Sequence, residues 1–418
     1  MARFRARVML FLPLATLGLG LQPCGHSMEG AAMVAEDLGA NSVTRADLMK
    51  EIDEKLARVH KFLMEEKLGG VLLTRVDNFA WVTAGLGDNH IIITSEVGGA
   101  SLLILRDGGR FLVASNVEVP RLMETDLKGL GYIPRDYLWY EDKTVSDVRL
   151  KIIQDLAKGQ EIGTDVPLPG LRFIAPGFAR LRYVLTDSEI KKYRWLGRNS
   201  SEAVSAVCRR IEPGMSERQI ESLTSDELMR RGIRPTVLLV GVDGRTLNYG
   251  HDVPSDAKLE KYAFVNVCGR KWGLIASVGR YVHFGPLPVD LKERMHASGE
   301  ISARLQASSR PGMRAGDMFD LAKKWYAEEG FPDGWMALHV GGAIGYAERE
   351  WVAYPGLEES VHERQAFAWN PLVRGAISFD TVVVYKDYVE NLTSIPDWPS
   401  FVVNVDGKEY RMPDILVR

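Results

Sequence analysis

Pro213-Gly-Met-Ser-Glu-Arg-Gln-Ile-Glu-Ser-Leu-Thr-Ser-Asp-Glu-Leu-Met-Arg-Arg-Gly232 and Pro311-Gly-Met-Arg-Ala-Gly-Asp-Met-Phe-Asp-Leu-Ala-Lys-Lys-Trp-Tyr-Ala-Glu-Glu-Gly330 share one design. Each opens on Pro-Gly-Met, continues with helical spacing and stops at a glycine 19 residues after the proline. An amphipathic stretch precedes each, and an extended apolar segment is expected after each, at residues 237–240 and 335–340. One Pro-Gly-Met match would be noise, but matched length and context predict two similar αβ halves. Two such halves tend to enclose a ligand cleft at their junction. Beyond them, residues 366–369, 377–385 and 401–403 read as strands joined by short connections, hence antiparallel.

Upstream, apolar residues at spacings of three and four predict a helix over 44–67, begun by Thr44 and stopped by Gly69-Gly70. Short apolar runs at 71–73, 79–82, 91–94, 101–105 and 111–114 alternate with turn residues, which predicts a small α/β domain over 44–180. Thr186-Asp-Ser-Glu189 is a capping signature opening a helix towards Arg210, so a second domain is placed at 186–418. Residues 1–24 combine Arg3, Arg5 and Arg7 with an apolar run too short to span a membrane comfortably, and read as an export signal. Cys24 is a candidate lipid attachment point for a periplasmic protein. A start at Met28 or Met33 would instead leave the protein in the cytoplasm, and 25–43 reads as a linker.

The chain has 418 residues, 46% of them hydrophobic, with 52 Lys plus Arg against 55 Asp plus Glu. That balance argues against nucleic acid or an anionic membrane surface as a partner, because both demand a dense excess of cations. Three cysteines far apart support neither a disulfide framework nor a cysteine zinc site. A small-molecule or short peptide-like ligand is the default, with no membrane span in the mature form. Walker, nucleophile-elbow and H-E-x-x-H motifs are absent from the sequence.

Gly250-His-Asp-Val-Pro-Ser-Asp-Ala-Lys-Leu259, followed by Phe264-Val-Asn-Val-Cys268, resembles the substrate-histidine loop and first metal strand of methionine aminopeptidase. Gly273-Leu-Ile-Ala-Ser-Val-Gly-Arg280 resembles the G-x-x-x-D-x-x-R strand of the same superfamily. Leu338-His-Val-Gly-Gly-Ala-Ile-Gly345 is similar to its H-x-x-G-H-G-I-G element, 366–371 to the strand ending in E-P, and 377–382 to R-I-E-D-T-V. The chain thus resembles the pita-bread superfamily of aminopeptidase P, prolidase, methionine aminopeptidase and creatinase. This implies an α+β protein: a pita-bread C-terminal domain with a pseudo-twofold repeat, after a smaller creatinase-like α/β domain. The likeness also implies a homodimer, in which the Asp88-Asn-His90 loop would approach the partner's cleft.

The departures matter as much as the matches. Family peptidases hold two divalent metals with two Asp, one His and two Glu, because bridging carboxylates must offset two close cations. Here those positions fall on Asn266 or Cys268, Ser277, Gly342, Asn370 and Phe379. No metal and no other cofactor is therefore expected. His251 matches the superfamily's substrate histidine, which is the proton-transfer base in metal-free creatinase, and imidazole titrates near neutrality. The resemblance gives His339, Arg280, Asn370 and Trp369 substrate-side roles. Cys268 is a candidate substrate contact, or a nucleophile if His251 lowers its pKa. The acids of creatinase fall on Gly279 and Asn370, and Asp243, Asp252 and Asp256 are the nearby candidates to orient His251. Three readings stay open: a metal-independent hydrolase of a C–N bond in a small amide, guanidino or peptide-like substrate; a catalytically inert binding protein; and an atypical Xaa-Pro metallopeptidase with relocated ligands.

Overall fold

The computed structural model describes residues 43–144 and 148–418, so the signal-like segment and nearly all of the expected linker lie outside the described residues. Helix α1 (Arg45–Glu65) starts where Thr44 accepts from the Asp47 N–H at 3.1 Å and Asp47 accepts from the Thr44 N–H at 2.9 Å. Leu48, Ile52, Leu56, Val59, Phe62 and Leu63 form its buried stripe. They cover a six-stranded mixed sheet of β1 (Gly70–Arg75), β2 (Val97–Leu105), β3 (Arg110–Ser115), β4 (Ile133–Tyr137), β5 (Ile162–Thr164) and β6 (Arg172–Phe173), in the order β4-β3-β2-β1-β5-β6.

Two expected strands are corrected. Residues 79–82 belong to helix α2 (Val76–Val82), all of it buried, and a short apolar run buried on every side has no period that separates helix from strand. Residues 91–94 form no strand: Ile91, Ile92 and Ile93 sit exposed in a turn before β2.

The second unit begins at α3 (Asp187–Arg210), capped reciprocally by Thr186 and Glu189. Its two halves repeat down to single hydrogen bonds. Gly214 and Gly312 both have positive φ, 93° and 91°, and their N–H groups donate to Leu259 O and Val361 O at 2.7 and 2.9 Å. Helices α4 (Glu217–Met229) and α6 (Ala315–Glu328) follow, their first N–H groups held by Ala257 O and Glu359 O. Between them α5 (Val289–Ser308) packs on α6. In the first half β7 (Arg234–Val242), β8 (Tyr262–Lys271) and β9 (Leu274–His283) form an antiparallel sheet. In the second, β10 (Gly341–Ile344) pairs with β11 (Trp351–Val352) and β12 (Ala366–Trp369).

The expected extended segment at 335–340 is a short helical turn, Gly334–Met336, and pairing begins only at Gly341. The expected strand at 377–385 is divided. A small hairpin of β13 (Leu372–Val373) and β14 (Ala376–Ile377) comes first, then β15 (Asp380–Val384), antiparallel to β12 and β16 (Val389–Asn391). The break is where the sheets meet. Phe379 O accepts from Gly279 N–H at 3.0 Å, and Thr381 Oγ1 accepts from Ser277 N–H at 2.7 Å, so the strand turns out of one ladder to join another.

The two units are joined by buried charge. Glu51 on α1 contacts Lys55 at 2.6 Å and Lys192 on α3 at 3.0 Å. Lys55 also meets Glu189 at 2.7 Å, and Tyr346 Oη donates to Glu189 at 2.7 Å. All four charged side chains are fully buried. No described helix is long and apolar enough to cross a membrane.

Candidate active site

The junction of the halves encloses a cavity of about 120 Å³, with β8, the loop after the short helix Asp243–Asn248, the turn before β10 and the end of β12 as its walls. Asn266 and Cys268 both face it, because residues two apart on a strand share a face. His251 lies exposed at the mouth, and its ring centroid is 6.5 Å from that of half-buried His339. Burial first, then the positive charge of Arg349 and of His251, pushes the His339 imidazole down to about 4. His339 is therefore neutral at physiological pH, able to donate from one nitrogen and accept at the other. Its Nδ1 is buried without a hydrogen-bond partner among the described residues.

Four of the expected site residues converge here: His251, His339, Asn370 and Cys268. Two do not, and those expectations are corrected. Arg280 points to the far side of β9, where it donates to Asp380 at 2.8 Å and Thr393 O at 2.9 Å and lies over the Trp398 ring. A buried guanidinium needs its counter-ion, and Asp380 supplies it. Trp369 packs in the core, stacked on Phe367, with its indole N–H donating to Ser309 Oγ at 3.0 Å.

Cys268 faces the cavity but contacts Ser277 Oγ at 3.2 Å, and burial pushes its thiol up, opposite to what a nucleophile requires. No orienting acid reaches His251 among the described residues. Asp243 accepts from the N–H groups of Glu260, Lys261 and Tyr262, and Asp256 is exposed beside Arg218. Asp88 and His90 line a separate cavity of about 170 Å³ with Arg234 and Trp272.

Asp252 is buried with one carboxylate oxygen unpartnered, and burial, then nearby Glu217, pushes its carboxyl up to about 6. The folded state thus holds a proton between about pH 4 and 6 that the unfolded chain has released, so Asp252 opposes folding as pH rises through that window. Asp252→Asn should raise stability at pH 7 and flatten that pH dependence. Urea unfolding at pH 4.5 and 7 checks this, and an equal effect at both would count against it.

Sequence reasoning missed Arg349. It sits in Glu348-Arg-Glu350, which reads as a solvated charge run, yet its guanidinium turns into the cavity. Nη2 donates to Asn370 Oδ1 at 3.2 Å, Nη1 to Glu348 O at 2.8 Å, and the group lies 5.7 Å from the Phe379 ring centroid. The signal available beforehand was indirect: neutral residues at the positions that the resemblance gives to metal-ligand carboxylates can accommodate a cation.

The architecture is the pita-bread fold seen in aminopeptidase and prolidase structures. Among solved structures the chain is similar to the dipeptidase PepE from Mycobacterium ulcerans, at 17% identity over 88% of this chain and 98% of that one, TM-score 0.70. It is also similar to the prolidase from Pyrococcus horikoshii OT3 (16% identity, 82% and 99% covered, TM-score 0.69) and the Xaa-Pro dipeptidase from Bacillus anthracis (18%, 88% and 100%, 0.66). Residues 191–393 match the model of metallopeptidase family M24. Over most of its length the chain shares the pita-bread fold of these prolidase and dipeptidase structures. No curated protein matches it by sequence.

The match to a metallopeptidase family raises the question what stands at the positions that the resemblance gives to metal ligands. A Cβ at Gly342 would lie 2.1 Å from Trp351 O, so this backbone leaves no room for a ligating side chain there. Asn370 is engaged by Arg349, Ser277 lies buried between Cys268 and Thr381, and Phe379 offers only a ring. Among the described residues, no three His, Cys, Asp or Glu side chains gather closely enough to hold a metal ion.

Proposed function

We propose that the cleft hydrolyses a C–N bond of a small amide, guanidino or peptide-like substrate without a metal, using His251 to carry the proton. The observation that supports this most is the His251–His339 pair, one imidazole open to solvent and one kept neutral, facing a cavity with unpartnered polar atoms. Water would add to the carbonyl or amidine carbon as His251 takes its proton. The C–N bond would then break as that proton passes to the leaving nitrogen, and neutral His339 would hydrogen-bond the substrate. A positioned general base contributes roughly 10²–10⁴-fold. His251→Ala should accordingly lower kcat at least 100-fold in EDTA-treated protein assayed with Xaa-Pro dipeptides and small amide and guanidino compounds. Turnover that tracks stoichiometric bound metal would sink this reading.

A second reading, a ligand-binding protein without turnover, is favoured by one observation: no described side chain orients His251. Ligands that stabilise wild type and His251→Ala equally to heat, with no turnover, would select it. An exported homodimer is part of the same proposal, and cell fractionation and light scattering test it.

A further inference from the structure

Among the described residues Arg349 is the one guanidinium in the cavity wall, and neither adjacent carboxylate pairs with it, although Glu348 lines the same cavity. Glu348 reaches Arg270 at 3.7 Å and Glu350 pairs with Arg182 at 2.6 Å. Among the described residues no carboxylate lies within ion-pair distance of Arg349, and its Nε is buried with no acceptor. Its two hydrogen bonds go to neutral oxygens, leaving three of five N–H groups unused. A buried cation without a counter-ion is costly, and folds pair or neutralise such groups. Two further unpartnered atoms face the same cavity: Asn266 Oδ1, an acceptor, and His339 Nδ1.

We propose that Arg349 occupies the place of the metal pair as a built-in cation, and that the cavity binds a small carboxylate-bearing ligand through its guanidinium fork. The fork geometry suits a planar carboxylate held by two parallel N–H donors. Asn266 and His339 then serve the ligand's remaining donors and acceptors, and about 120 Å³ limits the enclosed part to an amino-acid-sized group. This rests on the proposed cleft, and names the class of ligand for it. Burial lowers the Arg349 pKa, while Cys268 and then Glu348 act in the opposite direction.

The test compares N-acetylglycine with N-acetylglycinamide on the EDTA-treated full chain, by calorimetry and thermal shift at millimolar concentration. Wild type should bind the acid at least tenfold more tightly than the amide, and Arg349→Gln should abolish the preference. Asn370→Asp guards against misfolding: it places a carboxylate 3.2 Å from the guanidinium in the asparagine's own shape. It should weaken the acid tenfold or more without lowering Tm. Equal binding of the two probes by wild type, no binding of either, or a preference retained in Arg349→Gln overturns the proposal. His251→Ala separates this from the hydrolase reading, since it should keep the acid preference while losing turnover. Acid preference without any turnover would leave this inference standing and remove that one.

Discussion

Glu51→Gln is expected to destabilise the protein by about 3–5 kcal/mol, the typical cost of removing one partner from a buried ionic cluster. Glu51 holds Lys55 and Lys192 within 3.0 Å and accepts from Ser188 Oγ at 2.5 Å, with every member buried. The amide keeps the shape but leaves two ammonium groups sharing Glu189. The exposed pair Lys61–Glu65, at 3.7 Å on the same helix, sets the contrast: Glu65→Gln should change stability by no more than about 0.5 kcal/mol. Urea unfolding followed by circular dichroism and tryptophan fluorescence reads both. A loss below about 1 kcal/mol for Glu51→Gln would show that water reaches the cluster. Because Glu51 and Lys55 lie on α1 while Glu189 and Lys192 lie on α3, the variant should also loosen the N-terminal sheet unit from the cleft.

Gly342→Ala should cost about 3 kcal/mol or more, at the upper end of overpacking. The added carbon meets Trp351 O at 2.1 Å and Val352 Cα at 2.9 Å. Both are backbone atoms of β11, where Val352 is the ladder partner of Gly342 and Trp351 that of Ala343, so no flexible side chain can give way. Gly244→Ala is the control: nothing lies within 4 Å of a Cβ there, and stability should change by less than about 0.5 kcal/mol. By the same contact Gly342→His should yield little folded protein and no gain of bound metal in elemental analysis. A well-folded Gly342→His variant that binds stoichiometric metal would overturn the closed-backbone argument.

What could be read in advance was whatever leaves a local mark. The capping pairs Thr44–Asp47 and Thr186–Glu189 fix helix starts within a few residues of chain, and the second was visible as a motif. Pro-Gly-Met followed by a closing glycine marked both halves, because Gly214 and Gly312 adopt a backbone conformation that other residues resist. Residues 79–82 were misread because an apolar run carries no period once every side is buried, whereas 335–340 is a partly exposed turn with Met336 in solvent. Arg280 and Trp369 were assigned to the cleft by resemblance, which gives a position on a strand but not the face its neighbours close. For Arg280 the deciding fact is Asp380 beneath it, 100 residues later in the chain. Arg349 left no mark, since its role depends on which cations claim Glu348 and Glu350, and both are remote in sequence.

The paired bonds Gly214–Leu259 and Gly312–Val361 have a consequence for how the cleft can move. In each half a loop returns from the cleft and is pinned at its far end to the turn that opens the preceding helix α4 or α6, Leu259 N–H to Met215 O and Val361 N–H to Met313 O. His251 lies upstream of the first pinned end and Arg349 upstream of the second. His251 and Arg349 are thus carried on two loops of one pattern. Beside each of them a backbone bond also reaches the sheet frame, Asp252 O accepting from Val240 N–H at 3.0 Å and Glu350 N–H donating to Ala343 O at 2.9 Å, so both side chains project from loops held at two points.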